Sequence, residues 1–169
     1  MAVVIAVLVT SCDQPSAPKG PTKGEWYTFS ADWAASGNRD TLHLGSDHPT
    51  SIFKLSGTML VTGEHILGTG FRVDAVGFTE RESNLVGSSV WTNESGDQVF
   101  STLKGEAIGT NKHIVGTFVG GTGRYTDAMG EYDFHWQYVI SAQQGEISGR
   151  AVGLKGRIRV GVSESKSKQ

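Results

Sequence analysis

From Trp26 to Val160 apolar residues recur at every second position in one short run after another, and no stretch holds i, i+3, i+4 spacing over a dozen residues. A period of two sends successive side chains to opposite faces of a strand, so the pattern predicts β-structure with one buried face. The runs lie at Glu25–Ala34, Ser51–Thr62, Thr69–Glu80, Val86–Thr92, Gln98–Ala107, His113–Val119, Glu131–Ser141 and Ile147–Val160. Turn signals separate them: Ser36-Gly37-Asn38, Thr62-Gly63-Glu64, Asn93 to Asp97, and Gln143-Gln144-Gly145. Short connections make neighbours pair antiparallel. The last run is long and broken by Gly149, Gly153 and Gly156, which suits the bends that close a barrel. The expected fold is all-β: an eight-stranded antiparallel β-barrel, with a β-sandwich as the competing architecture. Eight strands enclose a lumen that side chains fill or that holds one small ligand.

Composition narrows the function classes. The chain carries 23 glycines, and its four prolines all lie at or before position 49. A net charge of −2 gives no electrostatic case for a nucleic-acid partner. The single cysteine, Cys12, excludes an intrachain disulfide, and there is no Cys/His array of zinc-finger spacing. The five histidines (His43, His48, His65, His113, His135) are scattered, and none pairs at metal-ligand spacing along one strand or helix. No metal and no cofactor is therefore expected.

The first residues read differently from the rest. Ala2 to Val9 is an unbroken apolar run, too short to span a bilayer but the size of a signal-peptide core. Asp13 to Lys23 is rich in Pro, Ser, Lys and Gly and reads as a tether. The organisation expected is a signal segment over 1–11, a tether over 12–24, one barrel over 25–162 and a polar tail over 163–169. Val9-Thr10-Ser11-Cys12 resembles the lipobox of bacterial lipoproteins, although no Lys or Arg precedes the apolar run. That resemblance implies lipidation at Cys12 and a lipid-anchored place in a bacterial cell envelope, periplasmic or extracytoplasmic.

Faces follow from parity. In Glu131–Ser141, Tyr132, Phe134, Trp136, Tyr138 and Ile140 share one side, with Glu131, Asp133, His135 and Gln137 on the other. Burying aromatics is worth several kcal/mol at about 25 cal/mol per Å², so the aromatic side is expected inward, lining the lumen. Phe53, Leu55, Met59 and Val61 form a second inward set. In the last strand Val152, Leu154 and Ile158 share a parity opposite Lys155, Arg157 and Arg159. Trp91, beside the Asn93–Asp97 turn, is expected at one barrel mouth, where it would gate entry. The segment from Ala35 to Pro49, with Arg39, Asp40, His43, Asp47 and His48, reads as a polar crossover loop.

Candidate chemistry depends on which way four charges point. Arg72, Asp74 and Glu80 share one parity of the third strand, where Phe71, Val73 and Ala75 compete with Val76 and Phe78 for the inside. Arg150 shares a parity with Val152 and Leu154. Facing inward, these groups would sit as opposite charges in low dielectric and support acid–base catalysis. Facing outward, they are surface pairs worth about 0–1 kcal/mol. His135 with Glu131 and Asp133 reads first as a wet strand face.

One stretch carries a family likeness. Gly116-Thr117-Phe118-Val119-Gly120-Gly121-Thr122-Gly123-Arg124-Tyr125, followed by Ala128 and Gly130, resembles the glycine signature of the dirigent and allene oxide cyclase-like barrels. The run from Gly87 to Asp97, with Val90-Trp91-Thr92 and Gly96-Asp97, looks like bacterial relatives of that barrel. The likeness implies a small barrel with an apolar lumen and no cofactor, in a family that steers reactive small molecules; its signature covers a turn and no catalytic group. Gly121-x-Gly123 is followed by Thr126, so no dinucleotide fingerprint is present.

Three functions fit these readings. The first is an envelope-tethered barrel binding a small hydrophobic molecule in its aromatic lumen. The second is a cofactor-independent cyclase or isomerase that confines a reactive substrate. The third is a filled, structural barrel whose outer face mediates assembly. The expected partners are a small hydrophobic molecule and a membrane reached through the N-terminal lipid, with homo-oligomerisation left open.

Overall fold

The computed structural model describes residues 21–43, 45, 49–62, 67–80, 83–106, 111–141 and 145–161. The expected signal segment, Cys12, most of the tether and the polar tail lie outside the described residues, as do Asp47, His48 and His65.

Eight antiparallel strands form a closed barrel in chain order: β1 (Tyr27–His43), β2 (Pro49–Thr62), β3 (Gly70–Glu80), β4 (Ser83–Asn93), β5 (Gln98–Gly105), β6 (Lys112–Gly121), β7 (Met129–Ser141) and β8 (Glu146–Arg159). The barrel replaces the sandwich alternative. Pairing of β1 with β8 closes the sheet, with Tyr27 opposite Ile158 and Asn38 opposite Glu146. Closure leaves no edge strand to template aggregation. The β1–β2, β3–β4, β5–β6 and β7–β8 connections lie at one end; the other three connections, the start of β1 and the end of β8 lie at the opposite one.

The expected loop from Ala35 is a strand as far as His43. Ser36 to His43 pairs residue by residue with β2, and Ser36 to Asn38 pairs with β8 on the other side. Ser36-Gly37-Asn38 is thus no turn. Gly37 serves a close strand approach: a Cβ there would lie 2.9 Å from the Lys54 carbonyl carbon and 3.1 Å from Leu55 Cα.

Parity along β8 also differs from the expectation. Ile147 and Ala151 are buried at odd positions, then Leu154 and Ile158 at even ones. Gly153 sits in the left-handed region (φ 68°), and the register shifts there against both β1 and β7. The extra residue is a β-bulge, and it throws Val152 onto the outer face, 42% exposed. A second shift between Tyr138 and Ile140 does the same to Ile140.

Elsewhere the inward sets hold. Phe53, Leu55, Met59 and Val61 are buried on β2; Tyr132, Phe134 and Trp136 on β7; Tyr138 is half-buried against the core. Glycines on neighbouring strands make room for these rings. Tyr132 is paired with Gly116 on one side and Gly156 on the other. A Cβ at Gly116 would fall within 2.6 Å of Tyr132 Cε2, and one at Gly156 2.5 Å from Tyr132 Cβ.

Candidate functional site

The interior is the candidate site, and it is full. Phe29, Phe71, Phe118 and Tyr132 surround Trp91 with ring centroids 4.9–6.0 Å away. Trp91 is 2% exposed, so it is a central core residue and not a mouth gate. Its inward parity decides this: Leu85, Ser89, Trp91 and Asn93 are all buried on β4. Among the described residues a small cavity of about 10 Å³ lies between the core side chains, lined by residues including Trp33, Met59, Ser89, Trp91, Tyr132 and Phe134. Pockets for organic ligands run to about 300–1,000 Å³, so this one has room only for a water-sized sphere.

A polar cluster sits at that cavity. Ser89 Oγ and Ser101 Oγ are 2.7 Å apart, Ser101 Oγ and Tyr132 Oη 2.8 Å, and Ser89 Oγ and Tyr132 Oη 3.2 Å. The three hydroxyls close a triangle in which each can donate once and accept once. Trp91 Nε1–H donates to Ser89 Oγ at 3.1 Å and fills that oxygen's second lone pair. The cluster thus offers a partner to each of its four donors. Burial pushes the Tyr132 hydroxyl pKa up, and the bonds with Ser101, Ser89 and Trp91 offset this only in part. With its pKa raised above 10.0 the phenol stays protonated at neutral pH, where it contributes packing and polar order.

The end opposite the β1–β2 hairpin is plugged by the glycine run. After Gly121 the chain makes a 3-10 turn, Gly123–Tyr125, and reaches β7 through Thr126 and Asp127. Tyr125 is fully buried there, against Phe71 at 5.8 Å. Its hydroxyl donates to the Leu67 carbonyl and accepts from Asn93 Nδ2 at 3.4 Å. Asn93 Oδ1 in turn accepts from the Ser95 and Asp97 N–H groups at 2.9 Å, which shapes the β4–β5 turn. Burial raises the Tyr125 pKa as well. Gly123, at φ 53°, packs its Cα against the Asp97 carboxylate.

Toward the other end the core is aromatic and less satisfied. Trp33 and Trp136 pack with ring centroids 5.4 Å apart and planes tilted by 55°, both buried, and neither indole N–H has a hydrogen-bond partner. Beyond them Arg39 Nη1 donates to Tyr138 Oη at 3.3 Å, with the guanidinium 5.8 Å from the Tyr138 ring centroid. Arg39 has the parity of buried Trp33 and Ala35, and is the half-buried cation at this end of β1.

The four conditional catalytic residues lie outside. Arg72 is 71% exposed and forms a surface pair with Asp74 at 3.0 Å; Ser56 Oγ also donates to Asp74. Glu80 and Arg150 are exposed, Arg150 donating to Gln137 Oε1 at 3.0 Å. Phe71, Val73, Ala75 and Thr79 take the inward positions of β3. The inward placement on which catalysis by these residues depends is not met.

Two further features are on the outer face. An open groove of about 670 Å³ crosses β1, β7 and β8, lined by residues including Thr28, Ser30, Glu131, Asp133, Lys155 and Arg157, both signs of charge together. Ile52, Phe78 and Val86 are register partners on β2, β3 and β4, all exposed, with Val76 exposed beside them. Sequence reasoning missed Ser89, Ser101 and Asn93, although each shares the parity of a core residue two positions away. No family model, no curated protein and no solved structure matches the chain.

Proposed function

We propose that this chain is a non-catalytic barrel whose interior serves the fold and whose outer face mediates assembly with a second copy of itself. The observation that carries the reading is the contrast between a core cavity of only about 10 Å³ and an exposed apolar row, Ile52–Phe78–Val86, on three adjacent strands. A contiguous apolar patch on a monomer's surface marks an interaction site far more often than isolated exposed residues do. The test is sedentation-independent of any ligand: analytical ultracentrifugation of the purified chain from micromolar to millimolar concentration. Self-association abolished by Phe78→Glu, with an unchanged circular-dichroism spectrum, is expected. A monomer throughout the range overturns the reading.

A second reading, uptake of a small hydrophobic molecule, draws on one specific observation. Trp33 and Trp136 bury indole donors without partners beneath Arg39 and Tyr138. A buried unpaired donor costs about 1–3 kcal/mol, which a ligand oxygen would recover. The barrel would have to open at that end to admit it. Co-purification of a stoichiometric lipophile, seen by native mass spectrometry, would establish this reading over the first. The cyclase or isomerase alternative rests on the dirigent and allene oxide cyclase likeness of Gly116–Gly130 alone. The envelope anchor rests on Ala2–Val9 and Cys12, and loss of fatty-acid labelling in Cys12→Ser is its test.

A further inference from the structure

The register of β6 against β7 places His113 directly opposite His135 on the outer face, two residues that lie 22 positions apart in the chain. Their ring centroids are 5.1 Å apart and the planes are tilted by 38°. His113 Nε2 lies 3.6 Å from Asp133 Oδ1, one outward position along β7. Both the His113 and Asp133 side chains are solvent-accessible, and His135 is exposed.

That separation has a chemical meaning. Two imidazoles on one tetrahedral ion, with metal–nitrogen bonds of about 2.0–2.1 Å and about 1.1 Å from nitrogen to ring centre, have centroids about 5.2 Å apart. The observed 5.1 Å matches that separation, and rotation of the two exposed rings about their side-chain bonds would turn their nitrogens toward a shared ion. Imidazole with carboxylate and water is a donor set for late first-row divalent ions. No three donors converge on a single point among the described residues. The pair therefore supplies two ligands, and the exposed Asp133 carboxylate a third by rotating about its own side-chain bonds, with water completing the shell.

We propose that His113 and His135, assisted by Asp133, form a surface site for a divalent ion of the Zn²⁺ type. The ion bridges β6 and β7, the two strands joined through the Gly121–Met129 connection. Lys155, opposite Asp133 on β8, and Lys104, opposite Val115 on β5, are the nearest cations across the sheet and limit the affinity. The site is independent of self-association, since it lies on β6 and β7 while the apolar row lies on β2, β3 and β4.

The test is isothermal titration of the full chain with Zn²⁺, alongside thermal melts at rising ion concentration. One site per chain is expected, with a melting temperature that climbs with the ion. His113→Gln and His135→Gln each weaken binding about tenfold or more, Asp133→Asn weakens it less, and His43→Gln leaves it unchanged. The substituted positions are exposed, so metal-free melts that match the wild type establish that folding is intact. Affinity unchanged within about twofold in either histidine variant overturns the proposal, as does an absence of binding at about 1 mM Zn²⁺.

Discussion

Substituting alanine at Gly116 tests the packing logic of the whole interior. The added Cβ would stand within 2.6 Å of Tyr132 Cε2 and nearer still to Cε1 and Cζ. Carbon atoms rest at about 3.5–4.0 Å, so the ring must retreat by about 1 Å or more. A ring tip on an exposed side chain would do so at little cost. Tyr132 is 3% exposed, held at its hydroxyl by Ser101 and Ser89, and bounded by Trp91, Phe118 and Gly156. Overpacking costs about 1–3 kcal/mol, and breaking the hydroxyl triangle adds about 1–3 kcal/mol. The backbone gain from replacing glycine in a strand offsets about 0.5–1 kcal/mol of this. A net loss of about 1–5 kcal/mol is expected, a large share of a typical 5–15 kcal/mol total. Urea denaturation of the wild type, Gly116→Ala, Tyr132→Leu and the double variant measures it. With the ring gone, Gly116→Ala should stabilise by about 0.5–1 kcal/mol, giving a coupling of at least about 2 kcal/mol. Additivity within about 0.5 kcal/mol would refute the idea that Gly116 exists to seat Tyr132.

Alkaline pH offers an independent check. Tyr132 and Tyr125 both have pKa values raised above 10.0 by burial, so the folded state holds protons that the unfolded chain releases. Their contribution is intact below pH 10 and is lost as pH rises through the folded values. Stability followed by urea titration should fall steeply above about pH 10, and less so in Tyr132→Phe; a flat profile to pH 11.5 counts against the assignment. At neutral pH Tyr132→Phe should itself cost about 1–2 kcal/mol in the same assay, because Ser89 and Ser101 keep each other while one bond partner is lost. Arg72→Gln and Arg150→Gln should each shift stability by less than about 0.5 kcal/mol, and a loss above 2 kcal/mol would put either side chain inside.

Much of the barrel was legible because parity is a strong signal wherever one face is dry. The inward rings of β7 and the inward set of β2 could be read directly, and so could eight strands joined in sequence. The failures share a physical cause. Gly37 looked like a turn because glycine usually marks one, yet here it lets β2 pass close by. Gly153 shifts the phase of β8 in mid-strand, and a local pattern cannot show a bulge whose evidence is the register of two neighbouring strands. Trp91 was misplaced because proximity to a turn was weighed above parity. The polar triangle escaped notice because Ser89 and Ser101 come from different strands and are polar in a face otherwise apolar. His113 and His135 meet only through pairing, which no spacing within one strand reveals.

The closing pair of strands has a consequence for how the chain may be cut and rejoined. Tyr27 lies beside Ile158, and Gly24 N–H donates to the Val160 carbonyl at 2.9 Å, so the entry and exit of the barrel touch. Every strand has the same two kinds of neighbour, and the sheet itself assigns no first or last member. β1 with β8, the pairing between strands not consecutive in the chain, is distant in sequence by accident of where the backbone opens. A circular permutant joined across that point and opened between β3 and β4 would keep every ladder while making β3 and β4 the late, entropically costly closure. The order of assembly is thus a property of the cut, and the finished barrel is not.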